Sequence, residues 1–145
     1  MAKRFQFRLD PLLSIKSFKV KEAKENLIQI VGLRVRKEEE IEQHLNYYSS
    51  LFKSKNGTIS AHELQTLFFH KIFVDDNIKK LGKEKQQLLE IEELKRKTLT
   101  EAMKDEKILE KLKEKKIITY NQELNKEETK TLDEIAIKQH INKSQ

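Results

Sequence analysis

Ser54-Lys55-Asn56-Gly57-Thr58-Ile59-Ser60-Ala61-His62-Glu63 is the stretch that decides how this chain folds. Asn-Gly among small polar residues is its one strong turn signal, because glycine takes backbone angles that other residues avoid and Asn bonds its own backbone. A helix start follows at once. Ser60 can accept from the N–H of Glu63 while the Glu63 carboxylate reaches back to the N–H of Ser60, and Ile59 and Leu64 stand at the staple positions. Asn56, Gly57, Thr58, Ile59 and Glu63 also fit the later positions of an EF-hand loop. Phe52 and Ser54 then occupy the positions of its first carboxylates, and calcium is left without the roughly six oxygens it needs. The capping box explains the same residues without a metal.

Upstream of the turn, the spacing predicts a helix from about residue 11 to about residue 53. Pro11, the only proline, suits a first helical turn, where its missing N–H costs nothing. Leu13, Val20, Leu27, Ile41 and Tyr48 step by sevens, the stripe of a coiled coil. Arg34 interrupts that stripe and Gly32 lies beside it, so the seam is expected to loosen there; glycine costs about 1 kcal/mol against alanine in a helix. Downstream, a second helix is predicted from about 61 to about 141. Its stripe runs through Leu64, Leu67, Val74, Ile78, Leu81 and Leu88, then drifts through Ile91, Leu94, Leu99, Ala102, Leu109, Leu112, Ile117, Leu124, Leu132 and Ile135. Asn125 to Thr131 holds no apolar residue, and a kink or fraying is expected there. At ~1.5 Å per residue the helices would measure about 60 Å and about 120 Å. A turn over 54–60 folds them antiparallel, with the second overrunning the first. The fold class read from the sequence is therefore all-α: an arm over 1–10 and a single helical hairpin over 11–145.

Composition agrees. Of 145 residues 37% are charged and 37% hydrophobic, with three glycines and no tryptophan, the profile of long helices with a narrow seam. Cysteine is absent, which removes disulfides and thiolate metal sites. The charge is unevenly placed. Residues 1–36 hold nine Lys/Arg against three Asp/Glu, whereas residues 37–145 hold twenty-one of each. The formal charge of +6 therefore sits wholly in the first quarter of the chain. A nucleic acid, an anionic membrane or an acidic protein could each answer such an end. The longest apolar runs fall far short of the ~18 residues a membrane span requires, and no secretory h-region opens the chain. Residues 1–24 are basic and amphipathic like a transit peptide, but Asp10 and Pro11 count against that reading.

Catalytic signals are lacking. His44, His62, His70 and His140 show no metal-site spacing, and Gly82-Lys83 lacks the rest of a phosphate loop. Carboxylates are plentiful, but catalysis needs them converging in a sheltered cleft. No cofactor, no metal and no enzyme activity are expected. The aromatic residues say more, since six of ten lie between Tyr47 and Phe73. At 100° per residue, Phe69 and Phe73 fall about 200° and about 240° from the stripe of Leu67, Val74 and Leu81. Such a pair on a face that should be wet is a candidate interaction patch, with local packing as the alternative. At the other end, Phe5-Gln6-Phe7-Arg8-Leu9 alternates as an extended arm that presents three apolar side chains on one side. They could staple the helix end to the second helix or enter a groove with an acidic rim.

Phe5-x-Phe7-x-Leu9-Asp10-Pro11-Leu12-Leu13, then a long charged helix, a turn and a second long helix, resembles the FliJ family of the bacterial flagellar type III export apparatus. The resemblance implies an antiparallel two-helix coiled coil similar to the central stalk of rotary ATPases. It also implies three partners: the hexameric flagellar export ATPase, the cytoplasmic domain of the membrane export-gate protein, and export chaperones. Phe5, Phe7, Leu9, Leu12 and Leu13 would dock at the ATPase ring. Phe69 and Phe73 would contact the gate, with Phe68 and Ile72 as the fallback pair. The implied location is cytoplasmic, peripheral at the inner membrane at the flagellar base, with no nucleic acid expected. The alternative from charge alone is a coiled coil that binds nucleic acid or an anionic membrane through residues 1–36.

Overall fold

The structure is a computed structural model that describes residues 3–53 and 57–145, without the side chains of residues 52 and 53. Two helices account for nearly all of it: α1, Asp10–Lys53, and α2, Ala61–Lys143. Both ends of the predicted boundaries agree to within two residues. The predicted turn at Ser54, Lys55 and Asn56 lies outside the described residues. Gly57, just past it, has φ +148°, a backbone angle that disfavours any side chain. The capping box forms as read: Ser60 N donates to Glu63 Oε2 at 3.3 Å, and Glu63 N donates to Ser60 Oγ at 3.2 Å.

The described chain gathers into two compact units, Met1–Val20 with Ala102–Gln145, and Lys21–Glu101. In each unit α1 and α2 pack antiparallel. Within the first, Lys16 meets Asp105 and Asp10 meets Lys113. Within the second, Arg34 meets Glu92 and Lys37 meets Glu84. Numbering rises along one helix as it falls along the other, so the fold is the expected helical hairpin.

What lies between the helices differs from the expectation. On α1 the covered residues alternate by three and four: Leu27, Ile30, Arg34, Lys37 and Ile41 in the second unit. On α2 they run Val74, Ile78, Leu81, Lys85, Leu88, Glu92 and Lys95. That is an unbroken heptad seam whose stations include charges. Arg34 does not loosen it. Its Nε donates to Glu92 Oε2 at 2.5 Å and its Nη1 to Glu38 Oε1 at 2.8 Å, so the arginine bridges the helices. Leu94, by contrast, is 62% exposed and Ile91 39%, because following the aliphatic residues drifts off a seam that in fact passes through Glu92 and Lys95. Leu64 and Leu132 are likewise uncovered. Nor does α2 break between Asn125 and Thr131. Thr129 Oγ1 donates to the Asn125 carbonyl and Thr131 Oγ1 to that of Glu127, and the intervening Lys and Glu are good helix formers.

Gly82 sits inside α2, where a Cβ would meet nothing within 4 Å. Gly82→Ala is expected to stabilise the chain by about 0.5–1 kcal/mol, since only helix propensity changes. A rise in the thermal midpoint with unchanged helicity is the readout.

Candidate protein-docking sites

The first site is built by the arm. Along residues 5–9 cover alternates: Phe5 and Leu9 are half-buried, Phe7 is buried at 7% exposure, and Gln6 and Arg8 are exposed. The extended Phe-x-Phe-x-Leu pattern thus turns three side chains inward, as the spacing required. Their platform is α2. The Phe5 ring lies 5.5 Å from that of Tyr120, and the Tyr120 hydroxyl donates to the Lys3 carbonyl. Asp10 N donates to the Phe7 carbonyl at 3.1 Å and Leu13 N to that of Leu9 at 2.9 Å, which joins the arm to the first turn of α1. Lys113 Nζ reaches Asp10 Oδ1 at 2.8 Å and ties the same turn to α2.

Of the two readings of the hook, the staple onto the second helix is the one seen. The platform is Tyr120 with Leu112 and Leu124; the two leucines belong to the stripe read from the sequence, whereas Tyr120 was missed although it keeps the seam spacing beyond Lys113. Arm and helix enclose an open groove of about 1070 Å³. Leu9, Leu112 and Leu124 contribute apolar walls, with Lys3, Arg4, Arg8 and Lys116 set against Glu123 and Glu127. Leu13 is half-buried in the seam, while Leu12 is 40% exposed. Beyond it Ile15 and Phe18 are 53% and 65% exposed, an apolar continuation that the motif did not flag.

The second site lies early in α2. Phe69 and Phe73 are 60% and 62% exposed, on the wet side of the helix as the angular reading required. Phe68 at 59% and Ile72 at 42% widen the patch, and the Phe68 and Phe69 rings meet edge-on at 6.4 Å. Val74, directly beside them, is 1% exposed and anchors the same turn to α1. One helix turn thus carries both an anchor and a presented surface.

Charge is organised within the second unit. Glu92, 6% exposed, accepts from Arg96 at 2.7 Å and from Arg34 at 2.5 Å. The two hydrogen bonds from Arg96, then the one from Arg34, hold its carboxyl below the usual carboxylate range. Glu38 is lowered in the same way by Arg34 and Lys85, and Arg34 is raised in turn. Among the described residues no three His, Cys, Asp or Glu side chains gather as metal ligands, and no helix is long and apolar enough to cross a membrane. His44 stands half-buried on the seam of the second unit.

Searches of curated proteins and of solved structures returned no match. A family model does match, described as "Flagellar FliJ protein", over residues 5–145. That span is essentially the whole chain, arm included, so the chain belongs to the FliJ family of flagellar export apparatus components.

Proposed function

We propose that this protein is a non-enzymatic coupling element of flagellar export. In this reading the arm and the start of α1 bind the hexameric export ATPase and stimulate it. The aromatic patch of α2 binds the cytoplasmic domain of the export gate, and the chain also takes part in cycling export chaperones. Its place is then the cytoplasm, peripheral at the inner membrane. One observation carries the reading. Leu64, Phe68, Phe69, Ile72 and Phe73, large apolar side chains within three turns, are each at least 42% exposed. A monomer gains nothing from so much uncovered apolar surface, whereas a partner that covers it gains on the order of 25 cal/mol per Å².

The ATPase half is tested by Phe5→Ala with Phe7→Ala. Both rings pack inward on α2, so their loss frees the arm from its platform; affinity for the ATPase is expected to fall at least ~10-fold because the arm is no longer held in its binding geometry, with helicity unchanged. Unchanged affinity would remove the hook from the mechanism. The charge of +6 within residues 1–36 favours a second reading, an anionic partner such as nucleic acid or a lipid surface. The two separate by salt: phosphate-driven binding weakens with a log–log slope near the number of phosphates contacted.

A further inference from the structure

We propose that α1 carries a second, self-complementary stripe on which another copy of this chain packs antiparallel about a two-fold near Gly32. This goes beyond the reading above and does not depend on it. The seam of the second unit uses Ala23, Leu27, Ile30, Arg34, Lys37 and Ile41. A separate face of the same helix carries Lys21, Lys24, Ile28, Val31, Gly32, Val35, Glu39 and Glu42, spaced symmetrically about the 31–32 peptide. Such spacing places its members on one face.

Val31 is half-buried, but the apolar side chains on either side of it stand outside the cover of α2. Ile28 is 69% exposed, among the most exposed aliphatic side chains described, and Val35 is 38% exposed. Between them Gly32 leaves open space, since a Cβ there would meet nothing within 4 Å. A neighbouring helix can therefore approach the backbone closely at that level.

Charge selects the occupant. The stripe is cationic at its start, apolar in the middle and anionic at its end. Laid antiparallel on itself, it sets Ile28 against Val35, Val31 against Gly32, Lys24 against Glu39, and Lys21 against Glu42. Laid parallel, it sets lysine on lysine and glutamate on glutamate, which is repulsive. Glu38 is already engaged by Arg34 and Lys85. Lys21, Lys24, Glu39 and Glu42 hold no ion pair among the described residues. Those four charges and that apolar centre fit one partner whose sequence is on hand, a second copy.

The contact is one helix face about 33 Å long, so association belongs on the order of tens to hundreds of micromolar. Sedimentation equilibrium of the full chain, from about 5 to about 500 μM, reads it directly. The mass is expected to rise from 17.3 kDa towards twice that value with concentration. Lys24→Glu alone and Glu39→Lys alone should each weaken association about 10-fold or more, by setting like charges in contact. An equimolar mixture of the two variants should restore it, because the carboxylate introduced at position 24 of one copy then meets the ammonium introduced at position 39 of the other. The double variant alone should associate as well. Circular dichroism confirms that each variant is folded. The proposal is overturned if the wild-type mass stays at 17.3 kDa throughout, including the case where a different protein occupies the stripe. It is equally overturned if the single variants associate like wild type, or if the mixture associates no better than its components.

Discussion

Glu92→Ala is expected to lower the thermal midpoint by on the order of 5–10 °C, the largest effect of any single truncation in the seam. Glu92 is the one charged side chain that is buried among the described residues, and it holds Arg34 and Arg96 together. Its loss leaves Arg34 between the helices with only Glu38, a cation covered but under-partnered. Breaking one member of such a network costs more than the network itself contributes, because the remaining charge stays desolvated. Glu92→Leu combined with Arg34→Leu should therefore recover most or all of the loss, although neither change alone does. If the double replacement is no better than Glu92→Ala, the pairing is not what couples the helices.

Acid provides an independent reading of the same group. The folded-state pKa of Glu92 lies below that of the unfolded chain, about 4.3 for a free Glu. Stability from this group is thus fully present above about pH 4.3 and is lost as pH falls through the lower folded value. Wild type should weaken through that window, and Glu92→Gln, which has no proton to bind there, should weaken less. Equal slopes in denaturant titrations across the window would contradict the assignment.

Phe69→Ala with Phe73→Ala should weaken binding to the export-gate domain by about 100-fold or more, since paired aromatic anchors each contribute on the order of 2 kcal/mol. The same variant should melt within about 1 °C of wild type, because both rings are mostly in water already. A lowered midpoint with retained gate binding would make the rings structural and remove the patch from the proposed function.

The hairpin was legible because its decisive signals are local. The Ser60–Glu63 box acts through bonds to its own neighbours and Pro11 through its fixed φ, so sequence alone placed both helices. The seam was only half legible. Reading aliphatic residues as covered led to Leu94 and Leu64, whereas Lys37, Lys85 and Glu92 take seam stations through partners on the other helix. A pairing such as Arg34 with Glu92 joins residues 58 positions apart, and no local pattern announces it. The exposed pair Phe69 and Phe73 was readable, because helix periodicity alone moves them off the seam. The arm's platform at Tyr120 was not, since it depends on where α2 passes the start of the chain.

Among the described residues only Phe7, Val20, Ala23 and Val74 form the buried apolar set. Unfolding such a chain exposes little fresh hydrocarbon, so its heat-capacity increment falls below the ~12–15 cal/mol/K per residue of globular domains. The stability curve is correspondingly shallow. Cooling and moderate warming then alter the free energy of the folded helices only slightly, a property suited to a part that must work wherever the cell is swimming.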